Sequence, residues 1–134
     1  MKVKFANEWI TGDTPREWPG DVRINGQKAV QPAQSLRAAQ ARAYDRGNVR
    51  TTITFNISRE HDNVMACQFY MMEHYVTVMQ LGRGRCQFVF VSDGGQQNYY
   101  LLNAVITIPQ QYQAGVRSFH SYVIEGGLPS RKPT

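Results

Sequence analysis

Residues 49–57, VRTTITFNI, carry the clearest pattern in the chain: Val49, Ile53, Phe55 and Ile57 fall on one side, Arg50, Thr52, Thr54 and Asn56 on the other. A period of two is that of a strand with one buried face. The period changes in the next stretch, SREHDNVMACQFYMMEHYV. At 100° per residue Val64, Met65, Cys67, Phe69, Met71, Met72, Tyr75 and Val76 form a broad apolar arc, with Asp62, Asn63, Glu73 and His74 gathered opposite. This predicts a helix from about Asp62 to Tyr75, capped by Asp62 and packed through Met65, Phe69 and Met72. A strand Val76 to Leu81 is expected next, closed by the turn GRGR, followed by the apolar run Gln87 to Val91. After DGGQQ comes Tyr99 to Ile108, with Tyr100, Leu102, Ala104, Ile106 and Ile108 along one side, and then a last strand from Val116 to Ile124. The polar tail at 128–134 is expected to be loose.

The first third of the chain is weaker in pattern. Met1, Val3 and Phe5 alternate with Lys2 and Lys4 as in a half-buried strand, and residues 11–20 read as a turn-rich connection. In DVRINGQKAV, Asn25-Gly26 lies between two short runs and predicts a tight hairpin, because both central residues of a type I′ turn need positive φ. That hairpin would place Arg23 and Lys28 together on one face. Residues 31–47, QPAQSLRAAQARAYDRG, read as a marginal helix or an ordered loop, since their stripe of Leu36, Ala39, Ala43 and Tyr44 is narrow and small.

With 134 residues the chain reads as a single domain over 1–134, carrying a hairpin and Arg-rich excursion at 21–46. No apolar run approaches the roughly 20 residues that cross a bilayer. The start, MKVKFANEW, has no signal-peptide core, which points to synthesis in a cytoplasm. A net charge of +5 permits nucleic-acid contact without requiring it, and twelve glutamines supply uncharged hydrogen-bonding surface better suited to protein contact than to catalysis. Cys67 and Cys86 are expected to be buried thiols. His61, His74 and His120 lack metal-ligand spacing, and no phosphate-binding loop or nucleophile signature accompanies the glycines. The expectation is therefore a protein without catalytic residues, metal or cofactor. One constellation remains: Arg37, Arg42, Arg46 and Arg50 recur at four- or five-residue spacing, which as a phosphate-tracking stripe would make a small basic nucleic-acid-binding protein.

The succession of strand, hairpin, excursion, strand, amphipathic helix and antiparallel meander resembles the tail-tube fold of tailed bacteriophages. The likeness is strongest over RGNVRTTITFNISREHDNVMACQFYMMEHYV, FVFV, LLNAVITI and GVRSFHSYVIEGG, within Gly47 to Gly127. The resemblance implies an antiparallel β-sandwich or barrel with one flanking α-helix. It also implies a structural virion protein, of tube, baseplate-hub or distal tail type, assembled from the host bacterial cytoplasm. Its partners would be copies of itself in a ring, hexameric and stacked, together with other tail proteins. DNA would pass through the lumen without specific binding, and no membrane would be involved. In such a ring the hairpin and excursion are expected to reach a neighbouring protomer, with Arg23, Lys28, Arg37, Arg42 and Arg46 as contacts and Glu60 and Asp62 as their acidic targets.

Overall fold

A computed structural model describes residues 1–12, 14–28 and 49–133. The elements in chain order are β1 (Lys2–Phe5), β2 (Glu8–Thr11), β3 (Glu17–Lys28), β4 (Val49–Glu60), α1 (Val64–Met79), β5 (Gly84–Ser92), β6 (Gly95–Ala114) and β7 (Arg117–Gly126). The strands form one antiparallel seven-stranded sheet in the order β2-β1-β5-β6-β7-β4-β3. The fold is thus mainly β with one helix among the described residues, as the sequence pattern predicts. The long β6 holds the sheet together, pairing with β5 through its first half and with β7 through its second. Val3, Phe5 and Phe88 from one half of the sheet share a single core with Ile53, Phe55, Tyr122 and Ile124 from the other, so the sheet folds over on itself.

The strand at 49–60 buries Ile53, Phe55 and Ile57 as its alternation requires, and Thr51 lies inward with them instead of sharing the polar face of Thr52 and Thr54. The QFVFV run and its DGGQ turn fall within and after β5, and the last strand runs two residues beyond its expected end. In β6 the inward residues are Leu101, Ala104, Ile106 and Ile108, while Leu102 is turned out. A bulge causes the switch: Asn103 adopts φ 53, the pairing with β5 shifts between Gly84 and Cys86, and the alternation changes phase.

Four expectations are corrected. No hairpin forms at Asn25-Gly26; both residues lie inside β3, opposite Thr52 and Thr51. A type I′ geometry occurs instead at Ala6 (φ 50) and Asn7 (φ 69), between the paired Phe5 and Glu8. Long-range pairing of β3 with β4 overrides the local Asn-Gly preference, and it puts Arg23 and Lys28 on opposite faces of the strand. Residues 11–20 are not all connection, because β2 reaches Thr11 and β3 already begins at Glu17. The segment Val76 to Leu81 is no strand but the last turns of α1: the Gln80 N–H still donates to the Val76 carbonyl, and Val78 is fully buried. Here a core contact outweighs the strand propensity of Val76, Thr77 and Val78. The segment 128–134 is tied down at Ser130, whose backbone exchanges hydrogen bonds of 2.7 and 2.9 Å with Tyr100. The predicted excursion at 31–46 lies outside the described residues.

Candidate functional site

The helix starts one residue later than its pattern suggests. Asn63, and not Asp62, is the N-cap; its side-chain oxygen accepts from the Ala66 N–H at 2.8 Å. Asp62 is drawn instead to Arg16 at 2.7 Å. From this start, Cys67, Tyr70, Met71, His74 and Val78 recur at helical spacing on the side packed against β6 and β7. The expected contact residues point away from the core: Met65 is 77% exposed, Phe69 67% and Met72 67%.

Beneath the helix is a polar seam. On β7 the inward alternation is Ser118, His120, Tyr122 and Ile124, all fully or nearly fully buried. The Met71 carbonyl can only accept, so the Gln111 amide presents its N–H there, at 3.1 Å, and turns Oε1 to His120 Nδ1 at 2.6 Å. Nδ1 of His120 must then carry the proton, which leaves Nε2 bare to accept from the Ser118 hydroxyl at 2.8 Å. With its hydrogen committed, Ser118 Oγ accepts from His61 Nε2–H at 2.9 Å. Burial first, and then the neighbouring His74, His61 and Arg59, push His120 down to about 3, so it is held neutral. His61 is also lowered, by burial and then by Arg59 and Arg16. The Tyr122 hydroxyl bonds His74 Nε2, and Tyr70 packs between His61 and His74, with ring centroids 4.9 and 5.1 Å away. Arg59 closes the rim, donating to the Tyr70 hydroxyl at 3.0 Å.

A serine between two imidazoles has the outline of an activated nucleophile. No substrate can reach it, however, because Ser118 and the adjacent Cys67 are fully buried. Burial raises the Cys67 thiol, with Ser118 partly offsetting it, and burial alone pushes Cys86 up to about 12; both are free, buried thiols as expected. Among the described residues no three His, Cys, Asp or Glu side chains are placed to hold a metal. The seam works as a structural relay that fastens β6, β7 and the approach to α1 to one another. Spacing along the chain hides the seam, because His61, His74 and His120 lie on different elements. The available signal was the strand alternation Ser118, His120, Tyr122.

The outer face of α1 is the second feature. Met65, Phe69, Met72, Val76 and Met79 are spaced by 4, 3, 4 and 3 residues, the a/d rhythm of a helix that packs on another helix, and all five are exposed. Glu60 and Asp62, the expected acidic targets, come together at the start of α1. Both are already engaged within the protomer, Glu60 by Arg16 at 3.6 Å and Arg117 at 3.8 Å, Asp62 by Arg16. Arg16 is raised by its bond to Asp62. Arg50, the end of the supposed phosphate stripe, pairs with Glu125 at 2.8 Å and is raised by it. Arg23 and Lys28 stand exposed on β3, and Arg37, Arg42 and Arg46 lie outside the described residues. Comparison with family models, curated proteins and solved structures finds no match to this chain.

Proposed function

We propose that this chain is a structural, self-assembling component of a tailed-bacteriophage tail, of the tube or tube-like type, whose protomers join in rings around a conduit for DNA and act in the virion. The observation that carries the reading is the a/d stripe Met65, Phe69, Met72, Val76 and Met79 on the outside of α1. These side chains form one contiguous exposed apolar stripe, and contiguous apolar patches of roughly 300–600 Å² on a protein surface are often functional contact sites. A helix that carries apolar residues on its outer face as well as toward its own sheet is suited to burial on both. The free edge of β3, twelve residues long and unpaired on its outer side among the described residues, is a second associating element. The sheet-plus-helix fold is the one the tail-tube resemblance implies.

Sedimentation velocity and negative-stain microscopy on nuclease-treated protein test the proposal. Rings or larger closed oligomers are expected for the native chain. Phe69→Glu with Met72→Glu should give a folded monomer. A native protein that stays monomeric at every concentration, or that binds added DNA with a steep salt dependence, would overturn the reading, the latter in favour of nucleic-acid binding.

A further inference from the structure

The face of the sheet turned away from α1 is not used by the core, the seam or the helix. We propose that this outer face of β3, β4, β7 and β6 binds a neutral oligosaccharide in a groove walled by Trp18 and Phe119. The proposal does not rest on the assembly reading, since α1 packs on the opposite side of the same strands.

Register builds the site. Tyr112 on β6 pairs with Phe119 on β7, Phe119 with Ser58 on β4, and Ser58 with Trp18 on β3, so four outward residues form one row across four strands. Three of them are aromatic, with Tyr112 53% and Trp18 42% exposed. Tyr112 and Phe119 stack on each other, with ring centroids 4.6 Å apart and planes at 9°, which leaves the second face of Phe119 toward β4. Within this row the small Ser58 stands between that face and Trp18, across two strand spacings, or about 9.5 Å, while Arg117 reaches over from β7. Arg117 lies over the Trp18 ring at 4.4 Å and braces the indole from one side.

The row below supplies polar groups. Asn56 and Ser121 are directly paired, and opposite Asn56 a bulge in β3 fits Gly20 and Asp21 against a single residue. Gly20 lies close against β4: a Cβ there would sit 3.0 Å from the Asn56 carbonyl oxygen. The resulting groove, about 280 Å³, is lined by Trp18, Gly20, Asn56, Ser58, Phe119 and Ser121 among others, a size for one or two rings of a longer ligand.

Charge selects the ligand class. Two of the outward cations on these strands face carboxylates, Arg117 against Glu60 and Arg50 against Glu125, and Arg23 lies two residues from Asp21 on β3. Among the described residues this face offers a polyanion no row of unpaired cations to track, Arg23 standing alone beside Asp21. Flat aromatic walls over a floor of uncharged amide and hydroxyl groups fit instead the apolar faces and equatorial hydroxyls of a neutral sugar chain. The aromatic walls would supply contact area and Asn56, Ser58 and Ser121 orientation.

Tryptophan fluorescence and calorimetry with cellohexaose, chitohexaose and maltoheptaose, in a Trp9→Phe background that leaves Trp18 as sole reporter, test this. At least one sugar should shift Trp18 emission and bind with Kd of about 0.1–1 mM. Trp18→Ala should weaken binding at least tenfold, and Ser58→Tyr, which fills the groove, should abolish it while leaving the circular dichroism spectrum and melting temperature close to native. No binding by any of the three sugars, undiminished binding by both variants, or a preference for a single-stranded oligothymidylate would overturn the proposal. Because Phe69→Glu with Met72→Glu leaves this face untouched, that variant should bind sugar as the native chain does even where it fails to assemble.

Discussion

Toward the sheet, α1 presents Cys67, Tyr70, Met71, His74 and Val78; toward solvent it presents Met65, Phe69, Met72, Val76 and Met79. The inner face is the more polar of the two, the reverse of the usual arrangement. Burying imidazoles and a serine costs little here because each polar atom of the relay has its partner, from His61 through Ser118, His120 and Gln111 to the Met71 carbonyl. Leaving five large apolar side chains largely in water has no such compensation among the described residues, the Met79 sulfur apart, which accepts from the Ile108 N–H. Hydropathy thus sorts side chains by their preference for water and not by where a fold puts them. A helix held between its own sheet and a neighbouring chain can satisfy both faces.

The comparison breaks most visibly at Tyr122. Its ring is fully buried and stacked on Phe55 at 4.8 Å, and its hydroxyl reaches His74 on the helix. Tyr122→Ala should cost about 3–5 kcal/mol in urea unfolding, the range for deleting a buried aromatic. A loss below about 1 kcal/mol would mean that the inner face of α1 is not the packed one.

Gln111→Leu probes the relay itself. It strands the His120 Nδ1–H and removes a donor from the Met71 carbonyl, and should cost about 1–3 kcal/mol by the same measurement. A neutral outcome would show that water or another group already serves those atoms.

Acid sharpens the contrast further. The folded pKa of His120, about 3, lies below its unfolded value near 6.5, so the unfolded chain takes up the proton first. Its contribution to stability is therefore complete above pH 6.5 and is lost as pH falls toward 3. Between pH 6.5 and 5, above the titration of most carboxylates, the loss should approach about 2 kcal/mol, and the lowered His61 acts in the same direction. In His120→Gln most of that slope should vanish. A native protein whose urea midpoint is flat over this interval would show His120 to be solvated and free to charge.

Much of the sheet was legible, because strands such as β4 and β7 keep one side in the core and write that in alternate residues. The helix α1 was legible from its change of period. Its orientation was not, since apolar residues lie on both faces and the polar inner residues mimic a solvated side. The Asn25-Gly26 hairpin failed for a different reason: a two-residue signal worth a local preference competed with ten paired positions between β3 and β4. The histidine seam was invisible to spacing along the chain because its members come from β7, the helix and the segment before it, brought together only by the fold.

Phe69→Ala should give the smallest change in protomer stability and the most specific loss. Phe69 makes no core contact, and Ala is the better helix former, so urea unfolding at a concentration where the protein is monomeric should shift by no more than about 0.5 kcal/mol. Association is the quantity that should respond. Phe69 is the aromatic member of the stripe, flanked one turn away by Met65 and Met72, and an aromatic anchor is where an interface concentrates its energy. The oligomer should therefore dissociate at a protein concentration at least tenfold higher than for the native chain in sedimentation velocity. A variant that loses several kcal/mol as a monomer, or one that assembles as the native protein does, would return Phe69 to the core or to plain solvent and remove the reason for pairing the two faces of α1 in this way.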